Sequence, residues 1–548
     1  MTEQNVTVGV VGLGSVGQAC VELLTESGIA VIAADSDPAA VAGADLVIEA
    51  VPEDEEIKAS VLRAVAASCS PDTVLISTTA TLSLASLAAA SGRPTRLVGL
   101  RFLVPPGTGT GFELMTTTMT DPDAADAAKA LLARLPLRQR ELGHAHRLAW
   151  DLLLAYLNRS VALYEAGYAT REDIDTAMRL GCGLPSGPLA LLDRIGLDVA
   201  ATGLTDLHQR TGRAAHAPAG LLSRMVDDQH FGAKVSRGIY AYTPSGEVAS
   251  AAERIGVDHD VTAREVTGIG LVGSGTMARG IAQVTSISGL DTVLVARTKE
   301  KADAAIEAVD ASMVRAVRRG QITPDQRRAA LTNLHPSCDF EELADRDVVV
   351  EAVAEDDEVK AEVFAQLDRV CRPGTIFTTT TSSLSVTDCA EATERRADVV
   401  GMHFFNPAPA MMLVEVCRTE FVSEDVLATA HALARRLGKT PVDCSDRAGF
   451  IVNYLLFPYL NDAVRLVESG VATIEEIDAA VESGLGYPVG PFTLMDSIGL
   501  DVGEAIQRRL HEVNHDPDVK PTAMLTQLIK LGRLGRKTGA GFYAHPRR

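Results

Sequence analysis

The chain of 548 residues predicts an α/β sheet domain followed by an all-α helical domain, with this pair duplicated in tandem. Short sequence patterns recur in both halves in the same order, and recurrence at a fixed spacing indicates an internal repeat. Within each half, short apolar runs that alternate with helical periodicity give way to a stretch that is helical throughout. The alternating part is typical of a parallel βαβ sheet.

The spacing between matching patterns defines the repeat. Residues 6–18 reappear in altered form at 267–279, which is 261 residues later, whereas 45–51 match 347–353 at a spacing of 302. The second half therefore carries about 41 residues that the first half lacks. They fall around 300–345 and have the pattern of two amphipathic helices, at 302–319 and 324–334.

These patterns predict the domain boundaries. We expect sheet domains at 1–143 and 265–445, helical domains at 144–243 and 446–548, and a polar linker at 244–264.

Composition excludes several classes of protein. The 51 Lys and Arg against 72 Asp and Glu give a net charge of −21, which disfavours nucleic-acid binding. No apolar run is long enough to span a membrane, and no basic segment precedes the first apolar stretch, as a signal peptide would require. The eight cysteines form no Cys-x-x-Cys pair, so we expect reduced thiols and no metal site. A cytoplasmic protein with no membrane partner is expected.

Each half opens with a glycine-rich turn between a strand and a helix. Such a turn lets backbone amides approach a pyrophosphate at the helix N-terminus, as in Rossmann-like domains. The turn residues are Gly12, Gly14 and Gly17 in the first half and Gly273, Gly275 and Ala278 in the second. We therefore predict that the second half binds a nicotinamide dinucleotide.

The residue after the second strand bears on which dinucleotide binds. Asp35 ends this strand in the first half, and a carboxylate there suits the 2′-hydroxyl of NAD. Arg297 stands at the same place in the second half and could receive the 2′-phosphate of NADP. The sequence slightly favours NADP over NAD for the second half and is compatible with NAD in the first. The alternative is that Arg297 is only a solvated loop residue.

Five ordered motifs of the second half together resemble the signature of the 3-hydroxyacyl-CoA dehydrogenases, and in particular of 3-hydroxybutyryl-CoA dehydrogenase-like members. The motifs are 381–385, 401–407 with its Gly-Met-His-Phe-Phe-Asn-Pro run, 413–416, 449–453 and 535–539. They cover about 280 residues in the family's order, which makes the resemblance specific. It implies a Rossmann-like domain followed by a helical dimerisation domain.

The resemblance also implies a catalytic set. His403 would be the general base for the 3-hydroxyl proton, or the acid in the reducing direction, and Glu415 would pair with its imidazole. Ser382 and Asn453 would donate hydrogen bonds to substrate oxygens. The competing interpretation for a histidine in an apolar run is a core residue with its hydrogen bonds satisfied.

Further positions match the family's binding residues. Those expected to contact the cofactor, besides the glycine turn and Arg297, are Met277, Glu355, Lys360 and Asn406. Ser312 and Arg319, in the extra helical hairpin, match contacts to CoA, although a plain solvated hairpin is the alternative. Thr380 and Met412 replace a usual Asn and Lys, so the substrate preference can differ from that for ordinary fatty acyl chains.

The first half lacks this catalytic set. Arg101 stands at the histidine position and cannot act as a base at neutral pH. Ala80 stands at the position of Ser382 and Val104 at that of Asn406. Trp150 or Asp151 stands at the position of Asn453, whereas Glu113 is retained at that of Glu415. We expect no catalysis there. The half would instead serve as the partner of an intra-chain pseudo-dimer, and whether retained Asp35, Glu53 and Lys58 still hold a dinucleotide stays open.

The sequence thus predicts an NAD(P)-dependent oxidoreductase that interconverts a 3-hydroxyacyl thioester of CoA and its 3-oxoacyl form. One alternative is a 3-oxo reductase of specialised, polyketide-type metabolism that acts on a carrier-bound or cyclic ketone. Another is a cofactor-sensing or scaffold protein with a vestigial second site. Further pairing between chains into a homodimer is left open.

Overall fold

A computed structural model describes residues 6–79, 82–102, 104–107, 110–139, 143–243, 248–249 and 261–545. Ala80 and most of the predicted linker lie outside these ranges. The first half contains strands β1 Thr7–Val11, β2 Ala30–Ala34, β3 Leu46–Glu49, β4 Val74–Ser77, β5 Leu97–Arg101, β6 Gly111–Met115 and β7 Arg138–Gln139. Its helices are α1 Ser15–Glu26, α2 Glu55–Ser68, α3 Leu84–Ala90, α4 Pro122–Leu132, α5 Gly143–Glu165, α6 Arg171–Cys182, α7 Pro188–Ile195, α8 Leu197–Thr211 and α9 Gly220–Asp227.

The second half repeats this order with additions. Its strands are β8 Gly268–Val272, β9 Asp291–Val295, β10 Leu334–Ser337, β11 Val348–Glu351, β12 Ile376–Thr379, β13 Val399–Phe404, β14 Leu413–Arg418 and β15 Thr440–Ser445. Its helices are α10 Thr276–Ile287, α11 Lys299–Arg318, α12 Pro324–Thr332, α13 Asp357–Val370, α14 Val386–Glu391, α15 Glu424–Arg436, α16 Val452–Glu468, α17 Ile474–Gly484, α18 Pro491–Ile498, α19 Leu500–Asn514 and α20 Ala523–Lys530.

The strands form one sheet in each half. The orders are β2-β1-β3-β4-β5-β6-β7 and β10-β9-β8-β11-β12-β13-β14-β15. All neighbouring strands are parallel except β5 with β6 and β13 with β14. Helices cover both faces, which is why a central strand such as β11 is buried along its whole length. The predicted fold class of sheet and helical regions duplicated in tandem is confirmed.

The inserted segment of the second half differs in part from the prediction. It forms the two expected helices, and the second begins with a capping box in which Thr323 and Gln326 satisfy each other's backbone amides. However, this helix ends at Thr332 rather than at 334, because Leu334 begins the edge strand β10. Pro336 lies in that strand, where an edge position tolerates the missing N–H.

The two helical regions pack against each other through a shared apolar core. α5 lies against α16 and α17. Tyr156 and Tyr459 meet there with ring centroids 6.0 Å apart. These two positions are 303 residues apart, the same spacing that relates Ile174-Asp175 of α6 to Ile477-Asp478 of α17, so equivalent positions of the two copies face each other. This is the arrangement expected around a two-fold axis.

The first half also reaches the second sheet. α6 packs against β14 and β15. A methyl group at Gly181 would lie only 2.9 Å from Val452 Cγ2 and 3.1 Å from Leu413 Cδ2. The Tyr168 hydroxyl donates a hydrogen bond of 2.6 Å to the carbonyl of Ser445, which ends β15.

Two further expectations concern the described residues. All eight cysteines are free thiols in the structure, and only Cys338 is exposed. Across the part of the chain that the structure describes, no helix combines the length and apolar character that a membrane span requires.

Candidate active site

The antiparallel pair β13–β14 brings His403 and Glu415 together. The register places them directly opposite each other, which explains their spacing of twelve residues. His403 Nδ1 lies 2.7 Å from Glu415 Oε2. Because a carboxylate accepts, the ring donates through Nδ1 and leaves Nε2 as the free nitrogen of the neutral imidazole.

Glu415 is held by more than the histidine. Its side chain is fully buried, and Oε1 accepts hydrogen bonds from the amides of Ile451 at 3.0 Å and Val452 at 2.9 Å. These amides lie at the N-terminus of α16, where a negative charge is favoured. The carboxylate is therefore fixed in position behind the imidazole.

The turn before α16 has the conformation that this contact requires. Gly449 and Phe450 both adopt positive φ, at 83° and 47°. A non-glycine residue in this region is strained and is often found at functional sites. The ring centroids of Phe450 and Phe405 lie 5.4 Å and 4.5 Å from that of His403. The imidazole is thus enclosed by aromatic rings and is 6% exposed.

Ser382 and Asn453 are joined to each other. Asn453 Nδ2 donates to the carbonyl of Ser382 at 3.5 Å. Ser382 in turn donates to Glu355 Oε1 through its amide at 2.8 Å and its hydroxyl at 3.2 Å. Burial alone would raise the pKa of Glu355, but the charge of Lys360 and the donors from Thr381 and Ser382 outweigh it and lower the pKa. Glu355 is therefore an anion at neutral pH.

Lys360 is buried beside this cluster and does not line an accessible surface. It is 1% exposed, and its ammonium group forms hydrogen bonds of 2.9 and 2.8 Å with Glu351 and an ion pair of 3.5 Å with Glu355. Any influence of Lys360 on a cofactor must pass through Glu355.

The glycine turn of the second half fits a dinucleotide. The Gly273 amide donates to the Val295 carbonyl at 2.9 Å, and a Cβ at Gly273 would lie 2.3 Å from the Ala352 carbonyl oxygen. A Cβ at Gly275 would meet no atom within 4 Å, so a phosphate can approach the backbone there. Ala278 is fully buried, and Met277 packs against the apolar core of the sheet.

Arg297 and Asp35 occupy corresponding places but differ in their contacts. Arg297 follows β9, is exposed, and has no hydrogen bond or ion pair within the described ranges. Asp35 accepts a hydrogen bond of 3.1 Å from the Leu13 amide in the glycine turn of the first half.

A cavity of about 790 Å³ lies between α10, α11 and the loop after β13. Ser312 and Arg319, predicted as CoA contacts, and Asn406, predicted as a cofactor contact, all line it. The cavity is also lined by Arg279, Arg315 and Lys439, which sequence reasoning missed. Arg315 could have been found, because it lies three residues after Ser312 and four before Arg319 on the same helix face.

Lys439 holds the loop that precedes β14. Its ammonium group donates to the carbonyls of Ala408 at 2.6 Å and Met411 at 2.8 Å, and burial lowers its pKa. Nearby Met412, at the position where the family usually has Lys, is 49% exposed and lines the cavity. No local sequence signal links Lys439 to this loop.

The first half has the same frame with different side chains. Arg101 faces Glu113 across β5 and β6 in the register of His403 and Glu415, and Arg101 Nη1 lies 3.1 Å from Glu113 Oε2. At the spacing of 303 that relates Tyr156 to Tyr459, Trp150 corresponds to Asn453. Both Trp150 and Asp151 line a cavity of about 570 Å³ together with Arg101.

Comparisons with known proteins match this architecture. The model for the 3-hydroxyacyl-CoA dehydrogenase NAD-binding domain matches residues 32–138 and 268–447, and that for the C-terminal domain matches 150–242 and 449–545. A 3-hydroxybutyryl-CoA dehydrogenase of Mycobacterium tuberculosis is 41% identical over 279 residues, which are 50% of this chain and 98% of that protein. A mitochondrial hydroxyacyl-coenzyme A dehydrogenase of Sus scrofa is 37% identical over 315 residues, covering 56% and 97% of the two chains.

A solved structure shows the same relation. The (S)-3-hydroxybutyryl-CoA dehydrogenase from Ralstonia eutropha is 35% identical, with a TM-score of 0.50, and the match covers 52% of this chain and all of that one. One copy of such a protein therefore corresponds to about half of this chain, and the family models occur twice along it. The chain belongs to the 3-hydroxyacyl-CoA dehydrogenase family, as a tandem duplication of its two domains.

Proposed function

We propose that the protein is an NAD(P)-dependent 3-hydroxyacyl-CoA dehydrogenase that interconverts a 3-hydroxyacyl thioester and its 3-oxoacyl form in the second half only. The observation that carries this proposal is the buried pair of His403 and Glu415 beside Ser382 and Asn453. Relatives that match about half of this chain bear the names of dehydrogenases of this substrate class.

His403 Nε2 is the proton-transfer atom in this proposal. In the oxidising direction it accepts the proton of the 3-hydroxyl group, and in the reducing direction it returns a proton to the 3-oxo oxygen. Glu415 holds the ring through Nδ1 and stabilises the imidazolium form. Ser382 and Asn453 donate hydrogen bonds to substrate oxygens and orient them toward Nε2. A bound nicotinamide dinucleotide supplies or accepts the hydride.

The cofactor site is assigned to the residues around the glycine turn. Gly273, Gly275, Met277 and Ala278 would hold the pyrophosphate end, and Glu355, supported by Lys360, would face the nicotinamide end with Asn406. These assignments are supported by the open approach to Gly275 and by the carboxylate of Glu355, whose pKa is lowered, next to the C-terminal end of β11.

NADP preference is tested by changing Arg297 to Asp. We expect kcat/KM for NADPH to fall about 10- to 100-fold relative to NADH, because a hydrogen bond from a charged donor to the 2′-phosphate would be lost. Asp35→Ala in the first half is the matched control and should leave the ratio unchanged. If the ratio of kcat/KM for NADPH to kcat/KM for NADH is unaltered in Arg297→Asp, then Arg297 is only a solvated loop residue.

Ser312 and Arg319 are proposed to contact the CoA moiety from the cavity beside α11. Replacing Arg319 with Ala should raise KM for acetoacetyl-CoA roughly tenfold, since a charge-assisted contact to a phosphate is lost. KM for the nicotinamide cofactor should not change. Arg318→Ala is the control, because Arg318 is exposed on the same helix but does not line the cavity. Equal effects of both variants would contradict a CoA contact.

The proposed reaction is tested by following NADH and NADPH consumption with acetoacetyl-CoA, with His403→Ala as the inactive comparison. Turnover that is lost in this variant supports the proposal and excludes a scaffold role. A second candidate is a 3-oxo reductase for carrier-bound or cyclic ketones, which Thr380 and the exposed Met412 at the cavity favour. No turnover with acetoacetyl-CoA, together with reduction of such a ketone, would favour this second candidate function instead.

The first half is proposed to be the non-catalytic member of an intra-chain pseudo-dimer. We retain the boundaries 1–143, 144–243, 265–445 and 446–548 for the four domains. The packing of α5 on α16 and the contact of Tyr156 with Tyr459 support this pairing. Asp35 beside the first glycine turn is compatible with NAD binding in the first half.

A further inference from the structure

We propose that charged residues at the interface between the halves make a first half pair only with a second half, and exclude pairs of two first halves or of two second halves. In this arrangement the first half presents the cations and the second half the anions. Pairing of two first halves, or of two second halves, would bring like charges together. This proposal concerns assembly and does not depend on the reaction proposed above.

Two of the ion pairs that connect the helical regions are related by the repeat. Arg159 Nη1 lies 2.6 Å from Asp516 Oδ2, and Arg213 Nη2 lies 2.7 Å from Asp462 Oδ1. At the repeat spacing of 303, Arg159 corresponds to Asp462 and Arg213 corresponds to Asp516. The two ion pairs are therefore one and the same contact, seen once on each side of the approximate two-fold axis.

This contact has become one-sided in charge. Both arginines belong to the first half and both aspartates to the second. In a pair of two first halves, the position of Arg159 would face the position of Arg213 of the other copy. In a pair of two second halves, Asp462 would face Asp516. The like charges would occur twice in each case because the symmetry repeats the contact.

Burial makes these charges effective. The side chains of Arg159 and Asp516 are 13% and 19% exposed, and those of Arg213 and Asp462 are 29% and 11% exposed. Charges this far from solvent are weakly screened, and an unpaired one is strongly unfavourable. Placing like charges in contact is a known means of excluding wrong partners.

Asp518 adds to the same asymmetry. It accepts a hydrogen bond of 2.7 Å from Arg213 and one of 3.3 Å from Arg159. The corresponding position of the first half is Ala215, which is uncharged. Arg465 of the second half pairs with Asp462 at 3.0 Å and lies 3.7 Å from Asp518. In a pair of two second halves, each half would therefore contribute one cation, Arg465, and three anions, which are Asp462, Asp516 and Asp518.

The test uses a chain with a protease site placed in the linker 244–264 and cut after folding. The cut protein is unfolded in urea, returned to buffer, and analysed by native mass spectrometry, which separates the three possible pairs by mass. The wild type should give only mixed pairs of one first and one second half. Like pairs in the wild type would overturn the proposal.

The decisive variant exchanges one ion pair, combining Arg159→Asp with Asp516→Arg. Each position then carries the residue that the other half already has there, at Asp462 and at Arg213, so local tolerance is expected. At the two exchanged positions, every contact in mixed and like pairs then joins an arginine to an aspartate. We expect like pairs to approach the statistical share of about half of all pairs. A variant that still forms mixed pairs alone would show that these charges do not decide the pairing.

A second measurement in the uncut chain guards against loss of folding. Arg159→Asp alone should lower the urea midpoint, because it sets a carboxylate against Asp516 and Asp518. Adding Asp516→Arg should recover most of that loss. Failure of the second substitution to recover stability would mean that the two positions do not interact, which also overturns the proposal. Neither readout uses enzymatic activity.

Discussion

Replacing His403 with Ala is expected to lower kcat for acetoacetyl-CoA reduction by about 10²- to 10⁴-fold, the usual contribution of a positioned general acid or base. The imidazole is the titratable group that Glu415 orients and that the rings of Phe405 and Phe450 enclose. Alanine cannot return a proton to the 3-oxo oxygen. KM for the nicotinamide cofactor should stay near the wild-type value, since His403 is not among the residues assigned to cofactor binding. Steady-state kinetics with both substrates varied measures the two constants.

The first half supplies a matched control for this substitution. Arg101 occupies the same register position on β5, and Arg101→Ala should leave kcat unchanged. An equal loss in both variants would mean that catalysis is shared between the halves. Retention of more than about a tenth of the wild-type kcat in His403→Ala would remove this residue from the role of proton donor.

Changing Glu415 to Gln should lower kcat by up to about 10⁴-fold, the loss seen when the carboxylate behind a catalytic imidazole becomes an amide. The amide oxygen can still accept from Ile451 and Val452, so the turn before α16 should persist. The amide nitrogen would then face His403 Nδ1 as a donor. The ring would have to carry its proton on Nε2, where it cannot accept one from the substrate. Stopped-flow or steady-state oxidation of a 3-hydroxyacyl-CoA measures this effect.

Glu113→Gln is the corresponding control in the first half. It alters the pair of Arg101 and Glu113 at the equivalent register, and activity should be unchanged. Circular dichroism and thermal unfolding must show that Glu415→Gln is folded, because this carboxylate is fully buried. A folded Glu415→Gln enzyme with near wild-type kcat would contradict the role of the carboxylate in fixing the tautomer.

The sequence predicted the features that depend on local pattern. The twelve-residue spacing of His403 and Glu415 follows from two antiparallel strands with a loop between them. The glycine turns follow from the need for a close backbone approach. The glycine turns can be recognised from their spacing between a strand and a helix. The pair of His403 and Glu415 was implied instead by the resemblance of motifs 401–407 and 413–416 to the 3-hydroxyacyl-CoA dehydrogenases.

Features that depend on distant parts of the chain were missed. Lys439 reaches the loop at Ala408 from the start of β15, and Asp446 receives the amides of Val386 and Thr387 at the N-terminus of α14. The strand β10 was also missed, because a run of four residues that includes a proline gives no clear period. Each of these depends on tertiary contacts that a single sequence does not contain.

The contact of α6 with the second sheet couples the stability of the two halves. Gly181 packs on Leu413 and Val452, which lie close in sequence to Glu415 and at the start of α16, and the Tyr168 hydroxyl donates to the carbonyl of Ser445 at the end of β15. The apolar core runs through both helical regions without a break. Partial unfolding of the first half would therefore expose the side of β14 and α16 that lies next to the proposed active site. Inactivation by heat or urea should coincide with loss of structure in both halves, as a single cooperative transition.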